Sequence, residues 1–100
     1  MDKDETIELI NIYINRIKEF IDIKNVYLFG SFANETQRTD SDIDIGIFAD
    51  SIDEDYFDTL KKLYEIRRSV DVRIEPHLFI SGHDRSGFST EVEKTGIKIQ

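Results

Sequence analysis

Two aspartates stand two residues apart in the run DIDIGIF, residues 42–48, where apolar residues fill the intervening positions. Side chains alternate across a β-strand, so Ile43, Ile45 and Ile47 share one face while Asp42, Asp44, Gly46 and Phe48 share the other. Asp42 and Asp44 then point the same way, with about 6 to 7 Å between their Cα atoms, and can close on one cation. In a chain with no Cys and two His, such oxygen donors suit magnesium or manganese rather than a structural zinc. A third acid, Asp71, lies in a similar alternating run, VDVRIE at 70–75. If the two runs pair, Asp71 can share the metal or accept a proton from an incoming hydroxyl. Acids on the solvent face of a half-buried sheet are also common without any ligand, so the pattern alone does not define a site.

A second feature is FGS at 29–31. Gly30 at a strand end and Ser31 at a helix start can present backbone N–H groups and a hydroxyl to phosphate. An ordinary turn has the same composition, and the glycine spacing and Lys of a P-loop are missing. Arg38, in the loop that follows, is either a cation that steadies phosphate or a solvated side chain. His77 and His83 read as a post-strand residue and a loop residue whose spacing makes no closed zinc set.

The elements that must position these residues follow from hydrophobic periodicity. Ile7, Ile10, Ile14, Ile17 and Ile21 recur every three or four positions and predict an amphipathic helix over 6–21, widened by Leu9, Tyr13 and Phe20. NVYLF at 25–29 reads as a strand, residues 30–41 as a turn and exposed loop with one or two helical turns near Ser31, and 42–48 as the second strand. Asp50, Ser51 and Asp53 are candidate helix-opening residues, and Tyr56, Leu60, Leu63, Tyr64 and Arg67 trace a helix over 53–68. The third strand carries Val70, Val72 and Ile74 on its core face and ends at Pro76. HLFIS at 77–81 is a short helix or strand, GHDRSG a loop, and FSTEVEKTGIKIQ a last helix near 88–94 with a turn at Gly96 and an extended tail. Interleaved helices and strands without repeats predict one α/β (α+β) domain over residues 1–100, a small mixed β-sheet with helices packed mainly on one face.

Composition bounds the partners. A hydrophobic fraction of 39% argues against disorder. A formal charge of −8 lacks the basic footprint of direct nucleic acid binding. The acidic N-terminus and the absence of a long apolar run predict neither a signal peptide nor a membrane span. Cysteine-free composition agrees with a soluble, cytoplasmic chain.

Taken together, GSFANETQRTDSDID resembles the signature of the nucleotidyltransferase superfamily that includes polymerase beta, and within it the minimal nucleotidyltransferase branch. Gly30 and Ser31 match its Gly-Ser pair, residues 32–41 fill the gap, Asp42 and Asp44 match its Asp-x-Asp, and Asp71 matches the third acid. Ala33 fits the extended pattern, but Glu35 stands where many relatives carry a second Gly. The resemblance implies transfer of AMP from ATP to a hydroxyl acceptor, with two Mg2+ ions (or Mn2+) held by Asp42, Asp44 and Asp71. Gly30 and Ser31, with Arg38, would contact the triphosphate, and Asp71 would serve as general base. The branch is similar to antitoxins paired with helical HEPN toxins, which implies a toxin tyrosine as acceptor and leaves homo- or hetero-oligomers open. Tyr56, Phe57, Phe79 and Phe88 are either core or interface. The alternative is a noncatalytic antitoxin or subunit that neutralises its partner by complex formation.

Overall fold

The computed structural model describes residues 3–30, 42–82 and 87–100. Along the chain run α1 (Lys3–Ile17), β1 (Asn25–Phe29), β2 (Ile43–Ala49), α2 (Tyr56–Arg67), β3 (Ile74–Ile80), α3 (Phe88–Thr95) and β4 (Ile97–Lys98). The strands form one mixed sheet in the order β3-β2-β1-β4. β1 is antiparallel to both β2 and β4, whereas β2 and β3 are parallel and joined by α2 as a crossover.

The alternation in β2 sets the two faces. Ile43, Ile45 and Ile47 are fully buried and join Val26, Leu28 and Ile74 against Ile10, Tyr13, Ile14 and Ile17 of α1 and Leu63 of α2. Tyr13 brings a hydroxyl into this core, and the hydroxyl donates to the Leu63 carbonyl at 2.6 Å. Burial holds its pKa well above that of an ordinary tyrosine. On the opposite face lies α3. Gly46 makes room for it, because a Cβ there would stand 3.1 Å from Val92 Cγ1 and 3.2 Å from the Phe79 ring. Two helices therefore cover the isoleucine face and one short helix crosses the other.

Several boundaries differ from the sequence reading. α1 stops at Ile17, and the stripe continues through a turn in which the Phe20 and Ile21 amides both donate to the Ile17 carbonyl, so Ile21 is buried without being helical. Asp55, rather than Asp50, Ser51 or Asp53, caps α2, accepting from the Phe57 and Asp58 amides. The third strand does not begin at Val70. Chain reversal after α2 is closed by the Asp71 amide on the Arg67 carbonyl and the Ile74 amide on the Asp71 carbonyl, which leaves Val72 63% exposed.

Nor does Pro76 end that strand. The Ile43 amide donates to the Arg73 carbonyl and the Ser81 amide to the Ala49 carbonyl, so odd-numbered residues of β3 bond to β2 and even-numbered ones point outward. β3 is an edge strand, and Pro76 occupies an outward position where no N–H is needed. The rest of that edge is also guarded: Arg67 Nη1 donates to the Ile74 carbonyl at 2.9 Å and the Tyr56 hydroxyl to the Leu78 carbonyl at 3.0 Å. HLFIS thus extends the strand through Ile80. Among the described residues no helix is long and apolar enough to cross a membrane.

Replacing Tyr13 by Phe removes a buried donor from Leu63 at little change in volume. It should lower unfolding free energy by on the order of 1 kcal/mol, read from urea denaturation midpoints at constant slope; an unchanged midpoint would show that the hydroxyl adds nothing.

Candidate active site

The two carboxylates of the DID run sit at the start of β2, on the face away from the isoleucines. Asp42 is exposed, just before the strand, and Asp44 is its second residue and half-buried. Antiparallel pairing puts Phe29, the last residue of β1, opposite Asp44, so the chain leaves β1 directly beside that carboxylate. Gly30 makes this step with φ of 75°. A Cβ at Gly30 would stand 2.5 Å from Asp44 Oδ2, so the backbone conformation and the space both require glycine. The close approach joins the FG corner to the DID strand, two segments separated by eleven residues of chain.

On its other side Asp44 meets β3. The parallel register sets Asp44 against Glu75 and Gly46 against His77. His77 Nε2 lies 3.4 Å from Asp44 Oδ1, and its ring stands edge-on to Phe29, with centroids 5.0 Å apart, and to Phe88 of α3. Glu75 turns over the sheet edge toward α2. There the Tyr64 hydroxyl donates to Oε1 at 2.9 Å, and Arg67 Nη1, stacked over the Tyr64 ring, lies 3.7 Å from Oε2. The Tyr64 pKa is raised, first by burial and then by its hydrogen bond to Glu75 and the negative charges of Glu75 and Asp42. Asp42 and Glu75 therefore act on one hydroxyl at the same corner of the fold.

Asp71 is placed differently from the sequence expectation. It lies in the turn before β3, not on the strand, because the turn bonds after α2 consume residues 68–73. Asp71 Oδ1 accepts from the backbone amide and Nε of Arg73, and Oδ2 accepts from an Arg73 Nη at 2.7 Å. This fork of bonds from Arg73 holds the Asp71 carboxyl below the usual carboxylate range and raises the guanidinium in turn. Ser31, Ala33, Glu35, Arg38 and His83 lie outside the described residues.

The donor types fit a hard divalent cation: Asp42, exposed just before β2, and Asp44, half-buried within it, both offer carboxylate oxygens, and Asp44 Oδ2 is turned toward the glycine corner. Among the described residues no group of three or more His, Asp or Glu side chains is gathered closely enough to hold a metal. The sequence reading makes neither Glu75, within the VDVRIE run, nor His77, a post-strand residue, a site candidate; their alternation with Ile74, Pro76 and Leu78 is the signal, and it is hidden when the strand is ended at Pro76.

Comparison with known proteins bears on the family and the fold. The family described as "Polymerase beta, Nucleotidyltransferase" matches residues 9–99. No curated protein matches the chain. Among solved structures, a Sulfolobus solfataricus protein described as a candidate nucleotidyltransferase aligns with a TM-score of 0.67 at 18% identity, over 96% of this chain and 80% of its own. A chain from a toxin-antitoxin crystallised with AMP-PNP aligns with a TM-score of 0.67 at 23% identity, over 89% and 71% respectively. Another, from a mutant of the toxin-antitoxin MntA-HpeT in which two aspartates are changed to glutamate, aligns with a TM-score of 0.61 at 20% identity, over 100% and 73%. At these identities the likeness is one of fold.

Two expectations follow. Gly30 and Gly82 both have positive φ, but a Cβ at Gly82 would meet nothing within 4 Å. Gly82→Ala should therefore cost only the backbone term, about 1 kcal/mol, and Gly30→Ala distinctly more, as measured by thermal unfolding of the two variants; equal losses would deny the contact with Asp44. For Asp71, a carboxyl held below its ordinary pKa adds stability above about pH 4, and the gain is lost as pH falls through the depressed value. Asp71→Asn should be less stable than the parent at neutral pH, with the gap closing in denaturation curves below about pH 4; a gap constant with pH would sink the ion-pair account.

Proposed function

Because the chain belongs to the polymerase beta nucleotidyltransferase family, we propose that it transfers AMP from ATP to a hydroxyl of a partner protein. The single observation that supports the reading is the close approach of Gly30, first residue of the signature's Gly-Ser pair, to Asp44, last residue of its Asp-x-Asp. Asp42 and Asp44 would hold the divalent ions, Mg2+ or Mn2+, which would there neutralise triphosphate charge and make the α-phosphorus more electrophilic. Gly30 and Ser31, with Arg38, would orient the triphosphate.

The acceptor oxygen forms its bond to the α-phosphorus as the bond to the bridging oxygen breaks and pyrophosphate leaves. A carboxylate takes the hydroxyl proton. Two acids compete for that role and for the second ion. Asp71 occupies the third position of the family pattern but lies in the turn before β3 and is engaged by Arg73, while Glu75, itself held by Tyr64 and Arg67, is the acid in register with Asp44. We assign the proton to Glu75, with Asp71 acting through the orientation of Arg73.

The acceptor we propose is a tyrosine of a helical HEPN toxin, which makes this single-domain chain a cytoplasmic antitoxin. Toxin-antitoxin assemblies among the solved structures of like fold support the reading. Incubation with radiolabelled ATP, Mg2+ and the product of the neighbouring gene tests it. Label should pass to that product, fall by a factor of about 100 or more with Asp42→Asn or Asp44→Asn, and fall with Glu75→Gln more than with Asp71→Asn. Transfer that survives the first two substitutions sinks the site. Neutralisation that survives them without transfer establishes the noncatalytic alternative.

A further inference from the structure

At the other end of β2 a groove of about 710 Å³ opens between the start of α2 and the end of β3. Ile52, Phe57, Leu78 and Ile80 line it, with the exposed acids Asp50 and Glu54 beside them. Phe57 is 74% exposed and Tyr56, edge-on to it at 5.5 Å, 39% exposed. Neither is required by the main core, to which α2 contributes Leu63. The stretch DSIDEDYFD at 50–58 carries five acids and no base. Lys24 meets Asp50 and Lys62 meets Glu54, which leaves a net negative surround to an apolar groove.

The chemistry of an occupant follows from three constraints. An added β-strand is disfavoured, because Pro76 has no N–H and the Ile74 and Leu78 carbonyls already accept from Arg67 and Tyr56. A second copy of the chain is disfavoured, since each copy carries a charge of −8 and would bring the same acids to the contact. A helix packing by its side chains meets neither obstacle, and basic flanks answer the acids. We infer that this groove docks an amphipathic helix of a partner protein whose apolar stripe is flanked by Lys and Arg. The groove lies about 20 Å along β2 from Asp44, so this inference does not depend on the chemistry assigned there.

Titration of the full isotopically labelled chain with two synthetic helical peptides tests it, both carrying a Leu stripe, one flanked by Lys and Arg and the other by Glu. The basic peptide should shift amide signals of residues 50–58 and 78–80 and bind more weakly as salt rises. Phe57→Ala, at an exposed position that leaves the core intact, should weaken it about tenfold or more, and the acidic peptide should not bind. The inference is overturned by absence of binding, by shifts scattered over the surface, by equal affinity in Phe57→Ala, or by equal binding of the acidic peptide. Self-association of the free chain that Phe57→Ala abolishes would also overturn it, assigning the groove to a second copy.

Discussion

β2 must satisfy two environments at once. Its isoleucines at 43, 45 and 47 are fully buried against α1 and α2, while Asp44, between two of them, has to keep contact with polar groups and solvent. A shift of one residue in register would drive the carboxylate into the core and expose the isoleucines, so the hydrophobic term locks the strand against slippage. Neighbours on both sides reinforce the lock, with β1 antiparallel on one edge and β3 parallel on the other. The position of the candidate site is therefore a consequence of core packing.

Four acids, Asp42, Asp44, Asp71 and Glu75, lie near the starts of β2 and β3, and the fold gives three of them a local partner. Asp44 faces His77, Glu75 is held by Tyr64 and Arg67, and Asp71 by Arg73. Asp71 and Glu75 are thereby directed to Arg73 and to Tyr64 and Arg67, and Asp44 to His77 and the Gly30 corner. Exposed Asp42 stands at the entrance to the strand.

The two ends of β2 serve different ends of the molecule. Near Asp44 the backbone of β1 closes in through Gly30, a position that excludes any side chain. Beyond Ala49 the chain opens into an acidic segment and an apolar groove. Between them β3 keeps an edge that Pro76, Arg67 and Tyr56 protect from strand pairing, so contacts with other proteins are directed to side chains.

Local physics was enough for a large part of this. Periods of 3.6 and 2 in the apolar residues identify α1, α2, β1 and β2, and the same alternation places Asp42 and Asp44 on one face. Those signals survive because the side chains that create them are the ones that become buried. The sequence reading starts β3 at Val70, four residues before Ile74, since Asp71 and Val72 alternate like a strand but are claimed by the turn after α2. Its other limit was misplaced because Pro76 breaks a central strand and is harmless at an edge, and edge status is a property of the whole sheet. For the same reason Glu75 and His77 stayed out of view: only the parallel register of β3 on β2 carries them to Asp44. Sequence alone determined the buried stripe of α1 and the core face of β2, with Asp44 on the other face; tertiary pairing decided which acid stands opposite Asp44, because distance between strands is set by hydrogen-bond register and not by spacing along the chain.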